Sequence, residues 1–209
     1  MFRQRFPDIA AVSAAVLLAF ATPAAAQQAW CVSGQAAYEE RDYAAAREAF
    51  TACIEGGDVP EAAMADALHR RGRSAMKLGE HDAALADFDR VLATDETHAQ
   101  ALNSRGWTLL LKDLPEEALP DLEAAKVLAP RDPRIADSYA HVLAALGREQ
   151  DALRAFFDAV ELQTPEQVAK LQGRLREAGY DAGPSDGVSG PKTRDALAAC
   201  VRDRCIIWD

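Results

Sequence analysis

Basic residues, glycine and proline are all scarce in this sequence of 209 residues. It has 23 Lys and Arg against 33 Asp and Glu, which gives a formal net charge of −10, and it contains no basic run. Nucleic acid and anionic membrane surfaces repel a chain this acidic, so we expect neither as a partner. With 12 Gly and 10 Pro there is little room for long linkers, which argues against the disordered and all-β classes.

Long apolar runs are also missing, apart from one near the N-terminus. Two arginines within the first five residues precede an apolar stretch at 10–21, and three consecutive alanines end at Ala26. About 12 apolar residues are too few to cross a bilayer core, which needs roughly 20, so a membrane-spanning helix is not expected here. The pattern predicts a secretory signal peptide over 1–26, cleaved after Ala26. We therefore expect a periplasmic mature protein without membrane insertion.

Cysteine is sparse as well, with Cys31, Cys53, Cys200 and Cys205. In an oxidising compartment, disulfides are favoured over metal or redox roles. Four cysteines allow three connectivities, and we predict Cys31–Cys53 and Cys200–Cys205 because the members of each pair lie within one predicted unit. Metal binding is the alternative, and it is disfavoured because the sequence has no CxxC and its four histidines are scattered. No metal or other cofactor is expected.

The sequence does contain an internal repeat of 34 residues, which is the signature of a stacked repeat architecture. Gly72, Gly106 and Ala140 follow one another at this interval, and other small and apolar residues fall into columns with them. A fourth copy lies before these three, separated by a spacing of 38 that includes a breaker-rich stretch at 56–60. The columns are Ala46, Ala84, Ala118 and Ala152; Phe50, Phe88, Leu122 and Phe156; and Cys53, Val91, Ala125 and Ala159.

Each copy contains two amphipathic helical segments joined by a short turn. This pattern resembles the tetratricopeptide repeat family, and Trp30, Gly34, Tyr43, Ala46 and Phe50 carry the resemblance in the first copy. It predicts an all-α solenoid of four helix hairpins over 27–166, with repeats at about 27–60, 65–98, 99–132 and 133–166. The departures are minor: Glu96 stands where Pro is usual, and Arg71 and Arg105 stand where Leu is commoner.

The resemblance implies a concave surface that binds a protein or peptide and is lined by the first helix of each repeat. In this register the expected groove residues are His69, Arg73, Lys77, Asn103, Trp107 and His141, and Asp137 lies in the same stripe. Trp107 is predicted to be the main partner contact, since large aromatic residues often dominate interfaces. The alternative is that Trp107 packs against the next repeat or the C-terminal domain. For His69 and His141, a solvated groove position is favoured over catalysis.

The 34-residue period stops after Pro165, and the C-terminal segment has a different character. It resembles the peptidoglycan-binding domain-like family, and we therefore expect a small separate helical module over 167–209. The shared residues are Leu171, Gln172, Leu175, Gly179, Tyr180, Gly183, Pro184, Asp186, Gly187, Gly190, Pro191, Thr193, Ala196 and Leu197.

The module resemblance implies peptidoglycan association through the loop from Tyr180 to Thr193. Its candidate residues are Tyr180, Asp186, Gly187, Gly190 and Thr193, of which Gly187 and Gly190 shape the loop and Asp186 bonds backbone amides. The sequence departs from the family at Cys200-Val201, where an aromatic residue and Gln are usual. This departure leaves open whether the module still binds the cell wall.

Two residue patterns of common catalytic sites are missing: there is no HxxE and no glycine-rich phosphate loop. We therefore predict a non-catalytic periplasmic adaptor, whose repeats bind a protein partner and whose C-terminal module associates with peptidoglycan. The alternative is a pure interaction scaffold in which the module is a structural cap without wall affinity. An envelope enzyme is the third and least favoured hypothesis.

Overall fold

The computed structural model describes residues 23–56 and 59–203, and in these residues the chain forms helices and no strands. Among these described residues, eight helices precede Thr164 and two follow it, which confirms the predicted all-α class. They are α1 (Pro23–Glu39), α2 (Tyr43–Glu55), α3 (Glu61–Lys77), α4 (His81–Thr94), α5 (Ala99–Leu111), α6 (Pro115–Leu128), α7 (Pro133–Ala145), α8 (Glu149–Glu161), α9 (Pro165–Glu177) and α10 (Pro191–Arg202).

The first eight helices pair into four antiparallel hairpins, α1–α2, α3–α4, α5–α6 and α7–α8, and each hairpin packs against the next. Every hairpin turn uses a residue with positive φ at the equivalent position: Arg41, Gly79, Asp113 and Gly147. Such a residue ends the first helix and turns the chain back beside it. The two non-glycine examples carry a conformational cost that the repeated geometry imposes.

The two helices of a hairpin approach each other closely at a glycine of the first helix. A Cβ on Gly106 would lie 2.7 Å from Leu122 Cγ, and one on Gly72 would lie 2.8 Å from Phe88 Cε1. Phe88 and Leu122 are completely buried, so neither can move aside at low cost. The column of small residues therefore sets the distance between the two helices.

The two arginines that depart from the family pattern form a repeated ion pair between the helices of a hairpin. Arg71 donates two hydrogen bonds to the buried carboxylate of Asp87, at 2.6 and 2.8 Å. Arg105 does the same to Asp121, with both distances 2.7 Å. Bidentate geometry makes such buried pairs specific, and loss of one partner is costly because it leaves a buried charge.

The cysteine prediction is confirmed for the first pair. Cys31 and Cys53 form a disulfide with Cα atoms 5.1 Å apart, which links α1 to α2. Cys205 lies outside the described residues, so the Cys200–Cys205 pair stays a prediction. The predicted signal peptide over 1–26 lies almost entirely outside them as well. In the part of the chain that the structure describes, no helix is both long enough and apolar enough to cross a membrane.

The C-terminal unit expected over 167–209 shares a hydrophobic core with the last repeat. Phe156 and Val160 of α8 share one hydrophobic core with Leu171 of α9 and with Leu197 and Val201 of α10. The boundary also lies slightly earlier than expected, because Thr164 caps α9 and Pro165 is its first residue. The module therefore packs against the last repeat and covers its apolar face.

We predict that Gly106→Ala lowers the free energy of unfolding by about 1–3 kcal/mol, because the added methyl group overpacks a core that cannot relax. Gly173→Ala is the matched control. Gly173 also lies inside a helix, but its nearest neighbour to an added Cβ is Ser185 Oγ at 3.8 Å. At position 173, alanine should raise the free energy of unfolding by about 0.5–1 kcal/mol, because glycine is unfavourable inside a helix. Urea denaturation of both variants measures the difference, and equal effects would contradict the close-approach account.

Candidate functional site

A groove runs along the first helices of the repeats and forms a cavity of about 980 Å³. Its walls come from α3, α5 and α7, while α9 and α10 of the C-terminal module contribute Arg174, Leu197 and Val201. All the predicted groove residues line this one cavity: His69, Arg73, Lys77, Asn103, Trp107 and His141. The structure therefore brings together the residues that the repeat register selected, although their role in binding stays a prediction.

These residues lie together because they occupy equivalent positions in successive repeats. His69, Asn103 and Asp137 each lie three positions before the close-approach residue of their repeat, and Arg73, Trp107 and His141 each lie one position after it. On a helix, positions four apart share a face. The same helical turn that packs against the partner helix thus presents its other side to the groove.

His69 does not occupy the solvated position expected from the sequence. It is buried, its Nε2 lies 3.0 Å from Ser104 Oγ of the next repeat, and its ring packs against Phe88 and His98. Burial, followed by the charge of Arg73, lowers its pKa to about 4. His69 is therefore a neutral structural link between two repeats.

Trp107 lies in a row of rings that crosses from one repeat to the next. Its ring centroid is 5.3 Å from that of His141, which in turn lies 4.9 Å from the ring of Phe156. Trp107 nevertheless remains partly exposed in the cavity. It thus combines the two alternatives considered for it, since it contacts the next repeat and still offers surface to a partner.

His141 is also more buried than expected, and its tautomer follows from its contacts. Its Nδ1 donates to the backbone carbonyl of Asp137 at 2.9 Å, because a carbonyl oxygen can only accept. Burial lowers the pKa of His141, so the ring is neutral and Nε2 is an acceptor.

Asp137 is the groove residue whose environment the sequence did not indicate. Only 17% of its side chain is exposed, and burial raises its pKa to about 8. Its Oδ1 and the Oδ1 of Asn103 are buried without a hydrogen-bond donor among the described residues. Polar atoms in this state are rare in folded proteins and call for an explanation.

Two cations lie toward the first repeats. The guanidinium of Arg73 stacks on the ring of Tyr38, 5.1 Å from its centroid, while Lys77 is exposed at the rim. Because the stacked guanidinium is held by α1, it forms a positive wall at one end of the groove.

The predicted wall-binding loop is organised by Gln172, a completely buried side chain that sequence reasoning had treated only as part of a motif. Its Nε2 donates to Asp186 Oδ1, to the Val188 carbonyl and to Thr193 Oγ1 at 2.9–3.0 Å. Its Oε1 accepts from the Gly187 amide. One amide group therefore holds both ends of the loop, which explains why a Gln is required at this position.

Several predicted contact residues of the loop face inward. Thr193 is buried and donates to the Ala182 carbonyl, and a Cβ on Gly187 would lie 2.5 Å from the Pro165 carbonyl oxygen. Asp186 accepts from the Val188 amide, as expected. Tyr180 donates to Asp203. These contacts maintain the loop, and the exposed side chains of the loop include Pro184, Ser185, Asp186 and Val188.

Gly190 is the N-cap of α10, with φ of −81°, and a Cβ added there would meet nothing within 4 Å. Within the described residues, no group of three His, Cys, Asp or Glu side chains is arranged to hold a metal ion.

Two parts of the chain match known protein families. Residues 27–55 and 69–133 match family models described as "Tetratricopeptide repeat", and residues 164–200 match one described as "Putative peptidoglycan binding domain". No curated protein matches the chain.

Solved structures share the fold at low sequence identity. MamA residues 41-end from Desulfovibrio magneticus RS-1 is 21% identical with a TM-score of 0.60, over 85% of this chain and 93% of that one. TTC0263, a thermophilic TPR protein from Thermus thermophilus, is 22% identical with a TM-score of 0.61, over 84% and 98%. YrrB, described as a TPR protein with an unusual peptide-binding site, is 17% identical with a TM-score of 0.54, over 85% and 87%. The chain therefore has the tetratricopeptide repeat fold, with tetratricopeptide repeats matched at 27–55 and 69–133, and its segment 164–200 matches the family described as "Putative peptidoglycan binding domain".

Proposed function

We propose that this protein is a non-catalytic adaptor of the bacterial periplasm, which binds a protein partner in its groove and associates with peptidoglycan through its C-terminal module. One observation carries the proposal: aromatic and polar side chains at equivalent positions of successive repeats line a single open cavity. Exposed aromatic and arginine side chains in a concave surface are the usual anchors of protein interfaces. Trp107 and Arg73 supply them here.

The periplasmic location is supported by the cysteines and by the N-terminal sequence. A disulfide such as Cys31–Cys53 persists in an oxidising compartment and is rare in the cytosol. The sequence of residues 1–26 has the pattern of a secretory signal. Peptidoglycan lies in the same compartment.

Wall association is supported by the match of residues 164–200 to the peptidoglycan-binding family and by the exposed part of the loop. Pro184, Ser185 and Val188 are exposed, and 62% of the Val188 surface is accessible. The net charge of −10 disfavours anionic wall polymers, whereas a neutral glycan backbone is not repelled. We therefore expect weak binding that depends on many copies.

A second function is favoured by the shared core of the module and the last repeat. Repeat arrays need a terminal element that covers the apolar face of the final hairpin. Leu197 and Val201 of α10 do this against Phe156 of α8. In this alternative the protein is an interaction scaffold and the module is only its cap.

We predict that Trp107→Ala weakens partner binding about 30-fold, because loss of a central aromatic anchor costs about 2 kcal/mol or more. Trp30→Ala is the control, since Trp30 is 52% exposed and does not line the groove. The measurement is capture from a periplasmic extract by the immobilised chain starting at Gln27, followed by titration with the captured protein. Unchanged capture by a folded Trp107→Ala variant would contradict groove binding.

The wall association is tested by sedimentation with purified peptidoglycan sacculi. Removal of the whole module would expose the core of the last repeat, so the test uses substitutions in the full mature chain. We expect Val188→Asp to lower the pelleted fraction at least about threefold, because a charge replaces an exposed apolar contact. Val127→Asp is the control, since Val127 is 81% exposed on α6. Equal recovery of both variants and the parent would favour the cap alternative.

A further inference from the structure

The groove contains buried hydrogen-bond acceptors that the described part of the protein does not satisfy. Asn103 Oδ1 and Asp137 Oδ1 are both buried, and neither has a donor in residues 23–56 and 59–203. His141 Nδ1 lies 3.6 Å from Asp137 Oδ1, but it already donates to a carbonyl and is too distant for a good hydrogen bond. A buried polar group without a hydrogen-bond partner lowers the stability of the folded protein.

The cations that line the groove do not neutralise Asp137. Arg134 pairs with Asp132 at 2.9 Å, and Arg73 stacks on Tyr38. The other basic groups in the lining are Lys77 at the rim, Arg174 on α9, and the neutral rings of His69 and His141. Burial alone raises the pKa of Asp137, and no nearby positive charge lowers it. The Asp137 carboxyl group is therefore protonated, and among the described residues no cation of the groove forms an ion pair with it.

We propose that Asn103, Trp107 and Asp137 form a subsite for an arginine side chain of the partner segment that binds in the groove. This inference rests on the proposed function of the groove and names the chemistry of its ligand. The two open acceptors belong to neighbouring first helices, α5 and α7, and Trp107 lies one turn along from Asn103 on α5. The subsite thus spans two repeats.

The chemistry of the subsite selects a guanidinium group. The amide oxygen of Asn103 can only accept, and Asp137 Oδ1 accepts once the carboxyl group is ionised, so a ligand that satisfies both atoms must donate hydrogen bonds. A guanidinium presents five N–H donors in one plane, it can reach two acceptors at once, and its flat face stacks on an indole ring. On binding, the protonated carboxyl group of Asp137 releases one proton to the buffer. The resulting carboxylate forms an ion pair with the incoming guanidinium.

The test uses two capped pentapeptides, acetyl-Ala-Leu-Arg-Leu-Ala-amide and the same peptide with citrulline, the neutral isostere of arginine. Each is titrated into the full mature chain while the indole N–H signal of Trp107 is followed by NMR. We expect the arginine peptide to bind at least about tenfold more tightly, which corresponds to about 1.4 kcal/mol for a charge-assisted hydrogen bond. Calorimetry in buffers of different ionisation enthalpy should detect proton release for the arginine peptide only.

The matched variants are Asp137→Asn and Asp113→Asn, because both carboxylates line the groove but only Asp137 belongs to the subsite. Asp137→Asn should abolish the preference for arginine and the proton release, while Asp113→Asn should keep both. Equal binding of the two peptides to the parent chain would overturn the subsite and leave groove binding intact. No shift of the Trp107 signal with either peptide would overturn the subsite and count against the groove itself. Binding that appears only after residues 204–209 are removed would assign the site to that segment of the chain and overturn the proposal.

Discussion

The close approach of the two helices in each hairpin is the constraint on which the rest of the molecule depends. Gly72 lies against Phe88 and Gly106 against Leu122, at contact distances that leave no room for another side chain. This contact sets the rotation of each first helix. It therefore decides which residues face the groove: those three positions before and one position after the small residue. The architecture and the composition of the groove follow from one column of small residues.

The protein contains buried polar groups of two kinds, those that are paired and those that are not paired within the described residues. Between the helices of a hairpin, Asp87 and Asp121 are buried but fully paired with arginines, which holds the register of the two helices. In the groove, Asp137 and Asn103 carry buried oxygens without donors in the described structure. Such unsatisfied buried atoms reduce stability, and their position in the cavity agrees with the binding site proposed above.

The sequence alone was sufficient for the features that repeat. The 34-residue columns predicted the hairpins, and the Cys31–Cys53 disulfide was predicted because both cysteines lie in one unit. The columns also selected residues that line one cavity, although their role in binding stays a prediction. The sequence did not predict the burial of His69, because His98 and Ser104 from the next repeat create that environment. For the same reason the protonated state of Asp137 depends on neighbours that no periodicity identifies.

The C-terminal module shows a second limit of the sequence. Its motif predicted the loop and the two helices, but contact of Leu197 with the last repeat depends on how two different folds meet. The motif also mixed residues that maintain the loop with residues that could bind a ligand. Thr193 and Gly187 belong to the first kind, as only their burial and contacts reveal.

The central claim is that partners bind in the groove formed by the first helices. Site-specific photo-crosslinking in living bacteria tests it most directly, with a benzophenone amino acid at Gln100, which is exposed in the groove, or at Val127, which is exposed outside it. The account predicts that position 100 yields a discrete protein adduct and position 127 yields none. Adducts at position 127 alone, or the same adducts at both positions, would contradict it.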